Sequence, residues 1–321
     1  MRASAGWVAA VVSRVAISAM RLNRIPLIFW LLVFLVAGRA HGQQPSDLPF
    51  GDAYVSTNSG IRIHYLQSGS GTSKCALVLI PGWRLSASLW NEQLARFSRT
   101  TRVIAIDPRS QGASTKTADG NTPEARATDL HDVLGSLGAS RSVLVGWSQG
   151  AQDVSAYLQR YGTGSVAGVV LVDSPVSCGP LELDIHREFA KEILSNLSIY
   201  ASHPAEFSKG MIRSLFTKPH PEVDLQALVN TSLQTPTNTG IAMLVADIFG
   251  ADRRRALATL NRPALVIASS GSPLLGVQRE MAATIPGSKF MVIEGTGHAV
   301  FVDQPEKFDE ALGTFFQSLC Q

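Results

Sequence analysis

Six short apolar runs, most of them followed by a stretch long enough for a helix, constrain this chain more than any other feature. They are "ALVLI" (76–80), "RVIAID" (102–107), "SVLVGW" (142–147), "GVVLVD" (168–173), "ALVIA" (264–268) and "KFMVIE" (289–294). Runs without polar alternation are what strands buried on both faces look like, and such strands belong to parallel sheets. The intervening segments 86–97, 149–161, about 275–285 and about 304–318 have helix length, and Thr122-Pro123 supplies an N-cap and first-turn pair for a helix reaching about Leu137. Before them, "AYVST" and "IRIHYLQ", joined by "NSG", read as a strand pair. The expectation is an α/β fold: a mostly parallel central sheet with helices on both faces.

The alternation breaks between Asp173 and Asn261. That stretch shows helical spacing (Phe189, Ile193, Leu197; then Met211, Ile212, Leu215, Phe216) and is far too long for a loop. It reads as a helical cap inserted over one edge of the sheet. The expected organisation is a core over 48–175 and 263–321 with the cap over 176–262.

Charge excludes some partners. The formal net charge is +3, but residues 1–42 hold five arginines and no acid. Without them 23 basic residues face 25 acidic ones, and no basic patch for nucleic acid remains. Residues 1–42 read as a signal peptide: Arg21 and Arg24 precede "IPLIFWLLVFLVAG", and "AHG" (40–42) places small residues before Gln43. Met20 is an alternative start. The apolar run is shorter than the roughly 20 residues of a membrane span, so contact with a membrane is expected only through this segment if uncleaved, and the mature chain is expected to be secreted or periplasmic. Of Cys75, Cys178 and Cys320, at most two can pair within the chain, and the sequence does not choose the pair. Their spacing matches no zinc pattern, and no metal or cofactor is expected.

The strongest chemical signal is "VGWSQGA" (145–151). Ser148 stands where a buried strand meets a helix, in a G-x-S-x-G frame. A sharp turn there lifts Oγ clear of the backbone, and Gly146 and Gly150 remove side chains that would collide with it. A serine nucleophile needs a base, and His298, in the glycine-flanked loop "EGTGHAVF" after the last strand, is the candidate. His64, His131, His186, His203 and His220 read as packing or surface residues. Donors for a developing oxyanion are the backbone N–H groups of Trp83, in "LIPGWRLSASLW" (79–90), and of Gln149, at a helix N-terminus.

These pieces together resemble the α/β-hydrolase superfamily from about residue 50 to 318. "GWSQG" is similar to its nucleophile elbow, "IPGW" to its oxyanion loop with Pro81-Gly82 in place of the usual His-Gly, and "IDPRSQGAS" (106–114) to its Asp-x-Arg-Gly-x-Gly-x-Ser loop with Ser110 in place of the first Gly. "GTGHAVFVDQPEKF" resembles its histidine loop. The nearest resemblance is to capped esterases and cofactor-free chloroperoxidases.

The resemblance implies an acid after the strand at 264–268, where this chain has Ser272 in "SSGSPLL". Some members, certain haloalkane dehalogenases among them, carry the acid one strand earlier. Here that is Asp173, the expected orienting acid. Asp107 matches a residue that braces the oxyanion loop. Glu294 and Asp303 are weaker candidates, and a dyad without an acid is a further alternative. The expected function is hydrolysis of small carboxylic esters or lactones through an acyl-enzyme. Perhydrolase chemistry at the same site, or a non-catalytic ligand receptor on the same fold, are the alternatives. Phe189, Ile193, Leu197 and Tyr200 are expected mainly to pack the cap onto the core and to offer some apolar wall to a pocket.

Overall fold

A computed structural model describes residues 50–69 and 73–320. The expected signal segment and its cleavage point lie outside the described residues. Eight strands form one sheet: β1 (Gly51–Ser56), β2 (Arg62–Ser68), β3 (Ala76–Ile80), β4 (Arg102–Ile106), β5 (Ser142–Trp147), β6 (Val166–Val172), β7 (Ala264–Ser269) and β8 (Lys289–Ile293). Their spatial order is β1-β2-β4-β3-β5-β6-β7-β8. β1 and β2 pair antiparallel with each other, and β2 pairs antiparallel with β4. From β4 to β8 every pair is parallel.

The apolar runs take the places their patterns require. β3, β5, β6 and β7 are buried at every position. β8 lies at the sheet edge, and its first four residues are exposed or half-buried. That placement explains Lys289 within the run. The expected helix at 86–97 begins as a 3-10 turn, Ala87–Trp90, before α1 (Asn91–Phe97). The last expected helix, about 304–318, is α12 (Pro305–Cys320), with Pro305 at its first position, where a missing N–H is tolerated, and a short further helix, α11 (Val300–Asp303), precedes it.

Helices cover both faces. One layer packs the Ala87–Trp90 turn, α1, α11 and α12 onto the sheet through Trp90, Leu94, Phe301, Phe308, Leu312 and Phe316. The other packs α2 (Pro123–Ser136), α3 (Gln149–Tyr161) and α10 (Leu275–Thr284) through Leu130, Val133, Val154, Tyr157 and Met281. Thr122 caps α2, its Oγ1 accepting from Ala125 N–H at 3.3 Å. Between β6 and β7 come six helices: α4 (Glu182–Ile185), α5 (Arg187–Ser202), α6 (Pro204–Ser214), α7 (Glu222–Leu233), α8 (Thr237–Phe249) and α9 (Arg254–Ala258). The only strand-like feature found there among the described residues is an isolated bridge between Cys178 and Asp252.

Cys75, at the start of β3, and Cys320, at the end of α12, form a disulfide with Cα atoms 5.4 Å apart, while Cys178 is a free, buried thiol. The bridge spans 245 residues. Closing so long a loop removes chain entropy from the unfolded state, on the order of 3–5 kcal/mol. Cys75→Ser is expected to lower the unfolding free energy by that amount. Urea titration under non-reducing conditions reads it, and an unchanged midpoint would mean that the bridge contributes nothing.

The chain leaves β3 towards β4 on one side and returns to β5 on the other. The sheet order therefore reverses between β3 and β5, and the carboxyl ends of those two strands flank a crevice. Open α/β sheets bind ligands at such a reversal.

Candidate active site

Ser148 occupies the single residue between β5 and α3 with φ 55° and ψ −118°. This conformation costs a non-glycine residue roughly 1–3 kcal/mol. Neighbouring glycines make the turn possible. A methyl group on Gly146 would lie 2.3 Å from the Gly150 carbonyl oxygen, and one on Gly150 would lie 2.5 Å from the Ile80 carbonyl oxygen. Both obstacles are backbone, which cannot rotate away. Gly150→Ala is thus expected to destabilise the fold by about 1–3 kcal/mol, measurable as a fall in the thermal midpoint.

The structure brings Ser148, His298 and Asp173 together. Ser148 Oγ lies 2.8 Å from His298 Nε2, and His298 Nδ1 lies 2.8 Å from Asp173 Oδ2. A carboxylate only accepts, so Nδ1 carries the imidazole proton and Nε2 accepts from the serine hydroxyl. The three side chains come from the carboxyl ends of β5, β6 and from the loop after β8. That loop is held on several sides. Trp147 Nε1 donates to the His298 carbonyl at 2.9 Å, Ala299 N–H donates to Leu215 O at 2.9 Å, and Gly297 N–H donates to Asp303 Oδ2 at 2.7 Å. Asp303 is buried and also accepts from Thr217 N–H and Oγ1, so it braces the histidine loop from behind. Glu294 is exposed.

The opening left by Ser272 has a physical account. Asp173 is buried at the end of β6, and its Oδ1 accepts from Ser269 N–H at 2.9 Å and from Gln278 Nε2 at 3.0 Å. Gln278 Nε2 also donates to Ser272 Oγ at 3.0 Å. The carboxylate one strand over is therefore oriented by β7 and α10, the elements that flank Ser272. Ser269 and Gln278 escape a reading of the sequence. The one trace of Gln278 there is a glutamine at a position of α10 that proves fully buried.

The loop after β3 lies against Ser148. A methyl on Gly82 would come within 3.1 Å of Ser148 Cβ and 3.0 Å of the Trp147 ring. Trp83 follows in the chain, with its indole Nε1 donating to the Gly240 carbonyl at 2.9 Å. The N–H of Gln149 is at the first position of α3, where a helix offers its donors no internal carbonyl. Asp107 Oδ1 accepts from Ala87 N–H, Oδ2 accepts from Ala113 N–H at 2.7 Å, and His64 Nδ1 lies 2.8 Å from Oδ2. This ties the loop after β3 to the loop after β4.

Behind Gln149 stands a buried charge network that no spacing in the sequence announces. Asp247 of α8 accepts from Gln149 Nε2 through one oxygen and from Arg126 Nη2 through the other. Arg126 Nε donates to Asp153 Oδ1 at 2.8 Å. Burial pushes both carboxyls above their usual range while the Arg126 guanidinium pulls them back. Three elements, α2, α3 and α8, are thus fastened together next to the elbow. Arg84, which follows Trp83, is also fully buried. Its Nη2 donates to Ser208 Oγ at 2.7 Å and to the Ser232 carbonyl at 3.2 Å, and burial lowers it to about 10.

A cavity of about 260 Å³ opens onto Ser148 and His298. Its walls are mostly apolar, and the inserted helices supply Phe189, Ile193, Phe207, Met211, Leu244 and Ile248. The expected apolar stripe divides. Phe189 and Ile193 face the cavity, whereas Leu197 and Tyr200 are buried elsewhere, Tyr200 edge-on to the Trp83 ring with centroids 5.4 Å apart.

The profile described as the alpha/beta hydrolase family matches residues 77–311. A putative non-heme chloroperoxidase of Synechocystis sp. (strain ATCC 27184 / PCC 6803 / Kazusa) is 26% identical over 286 residues, covering 84% of this chain and all of that protein. The esterase EaEST of Exiguobacterium antarcticum superposes with a TM-score of 0.75 at 23% identity, covering 83% of this chain and 100% of that one. The enol-lactonase of Burkholderia xenovorans LB400 superposes at 0.70 with 20% identity, covering 83% and 100%. Three reaction names on one architecture place the fold and leave the substrate to the site.

Proposed function

The chain belongs to the alpha/beta hydrolase family, and from that premise we propose that it is a serine hydrolase of carboxylic esters or lactones, acting through an acyl-enzyme on Ser148. The observation that carries this is the relay Ser148 Oγ, His298 Nε2 and Nδ1, Asp173 Oδ2, each contact 2.8 Å, at the floor of an apolar cavity.

The steps follow from the contacts. Ser148 Oγ attacks the substrate carbonyl carbon while its proton passes to His298 Nε2. The Asp173 carboxylate steadies the imidazolium that results and keeps the ring in the useful tautomer. The carbonyl oxygen, now carrying the charge, is held by the N–H groups of Trp83 and Gln149, the latter at the positive end of α3. Collapse expels the alcohol oxygen, which takes the proton from Nε2. Water, deprotonated by His298, then attacks the acyl carbon and restores the serine. The apolar walls favour acyl and alcohol groups of small to medium size.

A second reading uses the same intermediate. Hydrogen peroxide in place of water would open the acyl-enzyme to a peracid, and the name of the chloroperoxidase relative favours testing for it. The long-range disulfide supports export to an oxidising compartment, since such bonds persist there and are rare where thiols are kept reduced.

A fluorophosphonate probe and a panel of p-nitrophenyl esters of graded chain length, lactones and a peracid assay test the proposal on the mature form. The expected result is one label per chain and turnover that peaks at short to medium acyl length. A protein that neither takes the label nor turns over any ester or lactone would be the ligand receptor of the alternative reading.

A further inference from the structure

Beside the cavity, which Glu182 alone of the three helps to line, lies a donor set that the proposed reaction does not use. Cys178, Glu182 and His186 are spaced four residues apart across the 3-10 turn Gly179–Leu181 and α4, so they project to one side. The thiol, carboxylate and imidazole donor atoms all lie within 4.8 Å of one another. Cys178 and Glu182 are buried and His186 is partly exposed. The disulfide engages the other two cysteines, which leaves the Cys178 thiol available. Glu182 is already aimed: its Oε1 accepts from Cys178 N–H at 2.9 Å, and its Oε2 accepts from His186 Nδ1 at 2.6 Å.

We propose that Cys178, Glu182 and His186 bind one divalent transition-metal ion of the zinc class. The donors are one soft sulfur, one imidazole nitrogen and one carboxylate oxygen, a set that suits zinc or cobalt and disfavours calcium and magnesium. Around a tetrahedral zinc ion such donors lie roughly 3.5 Å apart, so the three side chains close in on the ion as it binds, and a water completes the four-coordinate shell. Thiolate and carboxylate together balance the ion's two positive charges, so the buried site ends neutral. A sulfur ligand binds as thiolate, so binding expels the thiol proton to solvent as sulfur bonds the metal, and the imidazole binds through one ring nitrogen with its single proton on the other. The cysteine spacing does not reveal this site, because two of its three donors are not cysteines.

The position gives the ion a task. Cys178 pairs through its backbone with Asp252, so the ion would lie where the chain enters the inserted helices and close to where it leaves them. Glu182 also lines the cavity, so a bound ion would fix one of its walls.

The test is a cobalt(II) titration of the chelator-treated, disulfide-intact full chain, read by absorption and by proton release, followed by competition with zinc. We expect a thiolate-to-cobalt charge-transfer band saturating at one ion per chain, about one proton released per ion, and a rise of a few degrees in the thermal midpoint with zinc. Cys178→Ser should abolish the band. His186→Ala, at a partly exposed position that leaves the core intact, should weaken binding at least about tenfold. Binding without a thiolate band, or an affinity unchanged in His186→Ala, would overturn the proposal. The readouts do not depend on hydrolysis, so they stand apart from the proposed reaction.

Discussion

Ser148→Ala is expected to lower kcat for an activated ester by about a millionfold while leaving the fold and the cavity in place. The substitution removes one oxygen. It keeps a side chain at a backbone position with φ 55°, so the strain of the turn is the same for alanine as for serine. The cavity is walled mainly by residues other than Ser148, so ligand affinity should change little. The loss should therefore fall on kcat and leave KM nearly untouched, as expected when the missing group bonds the substrate only during reaction. A residual rate above the uncatalysed one should survive, because the substitution leaves the proposed oxyanion donors, the Trp83 and Gln149 N–H groups, in place. Fluorophosphonate labelling should vanish with the hydroxyl. A variant that still hydrolysed the ester at more than about a thousandth of the parent rate would place the nucleophile on another residue.

What the sequence makes legible here is what local sterics and burial impose. Continuous apolar runs mark β3, β5, β6 and β7 because strands covered on both faces have no polar side to show. The Gly146 and Gly150 spacing marks the elbow because backbone atoms leave no room for a methyl group at either position. The resemblance, with Ser272 where an acid is usual, implies an acid one strand earlier, and Asp173 there lies 2.8 Å from His298 Nδ1. What stays hidden depends on how distant elements meet. Gln278 reaches Asp173 across 105 residues, and Asp247 reaches Gln149 across 98. Nothing local to either glutamine requires its partner. The pairing of Cys75 with Cys320 follows from β3 starting beside the end of α12, which a count of three cysteines cannot show. The division of the α5 stripe is similar. Helical spacing gives the face, and only packing against Trp83 and the cavity decides that Ile193 lines a wall while Tyr200 is buried.

Asp173→Asn should lower kcat by about ten-thousandfold, and the hydrogen bonds around the carboxylate explain why the isosteric amide fails. Oδ1 accepts from two donors, Ser269 N–H at 2.9 Å and Gln278 Nε2 at 3.0 Å. An asparagine must keep its carbonyl oxygen on that side, because its NH2 there would face two donors. The NH2 is then forced towards His298 Nδ1 and donates to it. The ring answers by carrying its proton on Nε2, which can no longer accept from Ser148. Proton transfer fails although every atom stays close to its place. Ser272→Ala is the control: it removes one of two acceptors of Gln278 Nε2 and should cost less than about tenfold. Circular dichroism and the thermal midpoint of both variants should stay near those of the parent. If Asp173→Asn kept most of the activity while Ser272→Ala lost it, the imidazole would take its orientation from the loop after β7 and not from the end of β6.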